Sequence, residues 1–139
     1  MTVKEFMKTY KITGKYSKYG SICSEKRPAL VCKDGFTISV QANEYCYCHP
    51  RKFNLDEYEE VELGFPNMAD DLILDYAEDP EDPTKTVYGY VPIELVEELV
   101  AKHGGIVGIR NEEGIVKAYG GNYNDFYELS WTPFHHELA

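Results

Sequence analysis

Apolar residues at the start of the chain recur every three or four positions from Val3 onward, the spacing of one helical stripe. Thr2 and Glu5 match a capping box, in which two side chains satisfy free amides at a helix start. The pattern therefore predicts an amphipathic helix over residues 3–12.

Two later segments have the same helical period. In residues 67–77, Asn67 can act as the N-cap, and in residues 92–103, Pro92 suits a first turn while His103 suits the negative end of the helix dipole. Glycines follow the second segment and can end its helix. The inward stripe of the first would be Met68, Leu72, Ile73 and Tyr76, with Asp70 and Asp71 near its positive end.

Alternation of apolar and polar residues predicts strands between these helices. Residues 29–42 form a predicted hairpin around Asp34-Gly35, and residues 106–119 form a second one. Residues 58–65 alternate with an acidic outer face, and a last strand is predicted near residues 126–131. The inward face of the 58–65 strand would carry Val61, Leu63 and Phe65.

These elements predict an α+β fold in which a small antiparallel sheet packs with two or three helices. The chain has 139 residues, of which 43% are hydrophobic, and no repeat or linker divides it, so a single domain over residues 1–139 is expected. No apolar run reaches the length of a membrane span, and the start lacks a secretory signal. We therefore expect a cytoplasmic protein with reduced cysteines.

The formal net charge of −10 is unevenly distributed along the chain. Residues 1–33 hold eight basic and two acidic residues, whereas residues 54–82 hold twelve acids and no Lys or Arg. An acidic segment repels nucleic acid and attracts cationic surfaces. The twelve acids are Asp56, Glu57, Glu59, Glu60, Glu62, Asp70, Asp71, Asp75, Glu78, Asp79, Glu81 and Asp82.

The run from Tyr45 to Arg51 contains Cys46, Cys48 and His49, and it is the most unusual segment of the chain. A zinc site that adds Cys23 or Cys32 is one interpretation, because zinc prefers sulfur and imidazole ligands. The spacing instead favours two buried cysteines that continue the strand begun at Phe36, with His49 on its other face.

Catalytic chemistry has little support in the sequence. Cys48 lies beside His49 and Arg51, but adjacent strand residues point apart, and His135-His136 is typical of a solvated tail. Phosphate loops, nucleophile elbows and metalloprotease motifs are absent. We predict a protein that is not an enzyme and uses no cofactor or metal.

Several strings within residues 34–105 are distinctive. They run from Asp34-Gly35-Phe36 to Arg51, from Asp79-Pro80 to Thr84, and from Tyr88-Gly89-Tyr90 to Gly104-Gly105. Together they resemble a family of short, uncharacterised proteins carried by phages and mobile elements of Gram-positive gut bacteria. The resemblance supplies no catalytic residues. It implies an accessory protein that inhibits host defences, as some do by presenting carboxylates where a nuclease expects phosphates.

Two functional hypotheses follow. In the first, the twelve acids bind and block a host nucleic-acid-handling complex of the CRISPR or restriction type, without contacting nucleic acid directly or a membrane. A surface that only confers solubility is the alternative to this hypothesis. The sequence leaves the oligomeric state open, including a homodimer joined through the basic and acidic segments.

The second hypothesis is a non-catalytic module for a small ligand such as a nucleotide. Its site would be the exposed side of a strand, where rings can stack and a guanidinium can hold phosphate. An ordinary ladder of aromatic residues would produce the same pattern. The residues concerned are Tyr45, Tyr47, His49 and Arg51.

Overall fold

A computed structural model describes residues 1–11 and 26–110 with their side chains, and residues 115–119 and 126–130 by their backbone alone. The helices are α1 Val3–Thr9 and α2 Ile93–Lys102. The strands are β1 Ala29–Cys32, β2 Thr37–Gln41, β3 Glu60–Gly64, β4 Val87–Pro92, β5 Ile106–Arg110, β6 Ile115–Tyr119 and β7 Phe126–Ser130.

The sheet is antiparallel throughout, and its strand order is β4-β3-β2-β1-β5-β6-β7. Both predicted hairpins and the last strand are confirmed, and so is the α+β class. Gly35 has a φ of 95° in the turn between β1 and β2, a conformation that glycine adopts without steric cost.

The two helices pack against each other and share a core with the sheet. The capping box of α1 is present, and the amides of Val3 and Lys4 also donate to the carboxylate of Glu97 on α2, at 2.7 and 3.3 Å. This carboxylate satisfies free amides at the start of α1 and joins the helices. The helices and inner sheet face share a core that includes Val3, Phe6, Met7, Leu30, Ile38, Val40, Val61, Leu63, Val96 and Leu99.

Helix α2 runs from one end of β3 to the other. Its first amide, from Ile93, donates to Glu59 O at 2.9 Å, whereas the carbonyl of His103, just after its last turn, accepts the Asp34 amide at 3.2 Å. We call these positions the Glu60 end and the Gly64 end of the sheet. Among helices in the described parts of the chain, none has the length and apolar character needed to cross a membrane.

The predicted helix over residues 67–77 is wrong, because this segment forms turns and only a short 3₁₀ helix at Leu74–Tyr76. Asn67 does not cap a helix. Its side chain accepts the Thr37 amide at 2.8 Å and donates to Gly35 O at 2.9 Å. The Asn67 side chain thus bonds a hairpin that lies far earlier in the sequence instead of capping a helix.

Two apolar residues that the sequence predicts to be buried are exposed, and one buried tyrosine lies on a strand that the sequence does not predict. Phe65 and Met68 were expected to point inward, but they are 55% and 40% exposed. Phe65 has a φ of 51°, which takes it out of the β conformation just beyond β3. Tyr88, on the unpredicted strand β4, is fully buried.

A buried imidazole ties three segments together at the Gly64 end. His103 Nδ1 lies 2.6 Å from Asp34 Oδ2, and Nε2 lies 2.7 Å from Asp70 Oδ2. The ring stacks on Phe36 with a centroid distance of 3.9 Å, and Lys102 donates to Asp70 Oδ1 at 2.9 Å. These contacts join the first hairpin, the end of α2 and the turn that contains Asp70.

Burial opposes ionisation of Asp70, but hydrogen bonds from Lys102, the Leu72 amide and His103 outweigh it and hold the Asp70 pKa below 3.8. Replacing Asp70 with Asn should therefore lower the free energy of unfolding by about 2 kcal/mol near neutral pH. Urea denaturation would measure this loss. Asp71→Asn is the matched control, because Asp71 is exposed, and its effect should stay within about 0.5 kcal/mol.

The same variant has a pH signature. Because the folded-state pKa of Asp70 is lowered, its stabilising contribution is present above the ordinary carboxyl pKa and is lost as pH falls through the folded value, below 3.8. The stability difference between the wild type and Asp70→Asn should shrink as the pH is lowered through this window. A difference that stays constant down to the acid transition would contradict the assignment.

Candidate functional site

The twelve acids do not form one surface. The structure places Asp56, Glu57 and Glu59 before β3 at the Glu60 end, and Asp70 to Asp82 lie beyond β3, from the Gly64 end onward. Glu60 and Glu62 lie on β3 between these groups and are half-buried. The predicted acidic surface is therefore split into two groups that lie at opposite ends of β3.

The acids at the Glu60 end have basic neighbours. Asp56 pairs with Lys11, and this contact lowers the pKa of the Asp56 carboxyl. Glu59 lies 3.7 Å from His49. Glu57 and Glu59 also line a groove of about 300 Å³ that includes Lys4. Contact between the basic start of the chain and the acidic middle is thus seen at Asp56.

Asp70 belongs to the interior rather than to a binding surface. Only 6% of the residue is exposed, and its carboxylate is bound by Lys102 and His103 as described above. It cannot meet an external cation without losing those contacts.

The other acids beyond β3 are all exposed, and within the described part of the chain none of them takes part in an ion pair. We call them the acidic segment. They are Asp71, Asp75, Glu78, Asp79, Glu81 and Asp82.

The acidic segment is fastened to the start of β4. The Glu78 amide donates to Val87 O and the Asp79 amide to Thr86 Oγ1, both at 2.9 Å. The hydroxyl of buried Tyr88 donates to Pro83 O, which holds the far side of the loop. These bonds fix the backbone that carries the exposed carboxylates of the acidic segment.

Arg27, which belongs to the basic start of the chain, does not reach this surface. It is buried, and its guanidinium donates to Ala42 O at 3.0 Å and to Met7 O at 3.4 Å. Burial lowers the Arg27 pKa. Lys15, Lys18 and Cys23 lie outside the described residues, as does His135-His136.

Residues 45–51 do not continue strand β2, which ends at Gln41. The Asn43 side chain accepts the amides of Tyr45 and Cys46 at 2.7 and 3.1 Å, and this local bonding turns the chain away from the sheet. His49 alone forms an isolated β-bridge, with Glu60. The strand interpretation of this segment is therefore wrong.

Alternate burial nevertheless persists through the turn. Cys46 and Cys48 are buried, whereas the four residues proposed as a ligand site are exposed, with Tyr45 at 66%. The exposed residues are Tyr45, Tyr47, His49 and Arg51.

Tyr47 forms a small cluster with Arg51 and with Tyr90, which the sequence reasoning missed. The Tyr47 and Tyr90 rings lie 6.0 Å apart at 42°, and Arg51 Cζ lies 5.9 Å from the Tyr47 centroid. A Cβ at Gly89 would approach Tyr47 Cβ to 3.1 Å, so the glycine permits this close packing. The Tyr88-Gly89-Tyr90 string was the available signal. We call Tyr47, Tyr90 and Arg51 the tyrosine cluster.

The described cysteines are poor nucleophiles. Burial raises the pKa of Cys46 to about 12, with smaller contributions from Glu62 and Cys48, and burial also raises the pKa of Cys48. The Cys48 thiol donates to Asn43 O at 3.2 Å. Over the described residues, no group of three or more His, Cys, Asp or Glu side chains is arranged to hold a metal ion.

Comparisons with protein-family models, with curated proteins and with solved structures found no match to this chain.

The raised thiol pKa values have a direct chemical consequence. In the native protein at pH 8, iodoacetamide should modify Cys46 and Cys48 far more slowly than in urea, because burial withholds the thiolate. Peptide mass spectrometry would follow each cysteine separately. Native Cys48 that reacts as fast as the unfolded chain would contradict burial and revive its interpretation as a nucleophile.

Proposed function

We propose that this protein is a non-catalytic inhibitor that binds the cationic, nucleic-acid-handling surface of a host defence complex of the CRISPR or restriction type. The proposal places it in the cytoplasm, where such complexes act, and follows the resemblance to accessory proteins of phages and mobile elements. It assigns binding to the acidic segment, which holds six of the twelve acids between residues 54 and 82.

The observation that carries the proposal is the set of exposed carboxylates that lack ion-pair partners in the described structure. A partner's arginines can form charge-assisted hydrogen bonds with such groups. The backbone at Glu78 and Asp79 is already held at the start of β4, so this part of the segment needs little ordering when the partner binds. Carboxylates arranged in this way can occupy sites that otherwise hold phosphates.

The first test compares two variants of equal charge in host cells that carry a plasmid-borne restriction enzyme or a CRISPR effector. One variant replaces all acids of the acidic segment with Asn or Gln. The control neutralises the same number of exposed acids elsewhere, namely Glu44, Asp56, Glu57, Glu59, Glu94 and Glu98.

Wild-type protein and the control variant should raise phage plaquing on the defended host by at least about tenfold over a host that lacks the protein. The acidic-segment variant should not. Equal loss of activity in the two variants would contradict the assignment, because total charge would then explain the effect, and full activity of both variants would contradict it as well. Protection that disappears only in the control variant would move the site to the Glu60 end.

The tyrosine cluster supports a second candidate function, the binding of a nucleotide. A nucleotide base could stack on the Tyr47 ring while its phosphate lies beside Arg51. Arg51 Cζ already lies 5.9 Å from the centroid of that ring. Binding at this cluster would not require the acidic segment.

Titration with mononucleotides and cyclic dinucleotides, followed by NMR chemical shifts, tests this candidate. Tyr47→Ala and Arg51→Ala should each weaken binding about tenfold, as expected for a lost stacking or phosphate contact. The acidic-segment variant should bind at least as well as the wild type, because it repels phosphate less. A wild-type spectrum unchanged at millimolar nucleotide would exclude these ligands.

A further inference from the structure

Two apolar side chains, Phe65 and Met68, are exposed on one turn at the Gly64 end of the sheet, and we call them the apolar pair. Large apolar side chains that share an exposed turn are candidates for contact with another protein. Within the described part of the chain, Phe65 has no ring contact, unlike the mutually packed Tyr47 and Tyr90.

The backbone of Phe65 is held in an unfavourable conformation. Its φ of 51° is in the left-handed region, where a residue with a Cβ is disfavoured and glycine is not. Such strain persists only where surrounding structure enforces it. Here it exposes an aromatic ring that the preceding β alternation would have turned toward the core.

The turn that carries the apolar pair is fixed on both sides. The Phe65 amide donates to Thr86 O at 3.1 Å, and Asn67 makes backbone and side-chain hydrogen bonds to Thr37 and Gly35. Asp70 then anchors the following residues through Lys102 and His103. A partner would meet these two side chains with little further loss of backbone entropy.

The apolar pair adjoins the acidic segment. Thr86 links them directly, since its carbonyl accepts the Phe65 amide and its hydroxyl accepts the Asp79 amide. An apolar centre beside charged groups matches the arrangement of interfaces in which a few buried anchors supply most of the binding energy.

We infer that Phe65 and Met68 anchor a partner segment in which an apolar side chain is flanked by Lys or Arg residues. This inference rests on the proposed function, because the flanking cations would be held by the acidic segment. Charge complementarity selects a cationic protein segment as the occupant. The apolar side chain of that segment would be buried against the ring of Phe65.

The test uses two fluorescein-labelled peptides that differ at one position. Each has two arginines on either side of a central residue, which is Leu in one peptide and Ser in the other. Binding is measured by fluorescence anisotropy at low salt, where screening is weak. Wild-type protein should bind the Leu peptide about tenfold more tightly, a ratio that corresponds to burial of about one leucine side chain.

Phe65→Gly is the informative variant, because glycine suits the φ of this position while removing the ring. It should fold with unchanged or higher stability in urea, yet lose most of the preference for the Leu peptide, because only Met68 of the apolar pair remains. Phe65→Asn, which also tolerates this conformation, serves if the glycine variant folds poorly. Tyr45→Ser removes an exposed ring elsewhere and should keep the preference for the Leu peptide.

The acidic-segment variant should lose affinity for both peptides by the same factor and still prefer Leu. If wild type binds the two peptides equally, or if folded Phe65→Gly retains the preference, the inference is overturned while the proposed function stands. If neither peptide depends on the acidic segment, the proposed function fails and the inference fails with it.

Discussion

The contact on which the surface of this protein depends is the imidazole of His103 between the carboxylates of Asp34 and Asp70. Each ring nitrogen lies within hydrogen-bonding distance of one carboxylate. A charged group in an interior is stable only when it is paired, and the buried Asp70 carboxylate is bound by Lys102 and His103, whereas Asp34 is exposed. Phe36 stacks on the ring and excludes water from one side.

That contact determines which carboxylates remain outside. Asp70 is drawn inward by His103 and Lys102, and the chain after it turns toward the edge of β4 instead of forming a helix. In the sequence the apolar pair precedes Asp70 and the acidic segment follows it. Because Asp70 is held inside by these contacts, the acids that follow it are left exposed to solvent.

The sequence was informative where local chemistry and periodicity agreed. The capping box at Thr2, the Asp34-Gly35 turn and the period of α2 each depend on neighbouring residues, and each is present in the structure. Burial of Cys46 and Cys48 followed from alternation even though the strand itself did not continue.

The failures arose where distant residues decide the local structure. Asn67 is a suitable N-cap residue, and Asp70 suits the positive end of a helix dipole. Their side chains instead bond the first hairpin and the end of α2, which lie far away in sequence. The exposure of Phe65 depends on a backbone conformation that its identity does not encode. Tyr90 joined the site because Gly89 allows a separate turn to pack closely.

Native-state hydrogen exchange of the wild-type protein tests most directly whether the contact between His103 and Asp70 holds the turn that carries the apolar pair. Three backbone amides report on the turn. The Thr37 amide donates to Asn67 Oδ1, the Asn67 amide donates to Thr37 O, and the Leu72 amide donates to Asp70 Oδ1. If His103 and Asp70 fasten the turn, these amides should exchange only in openings nearly as costly as those that expose the β1–β2 pair. Rapid exchange of the three amides beside a protected sheet would contradict the claim.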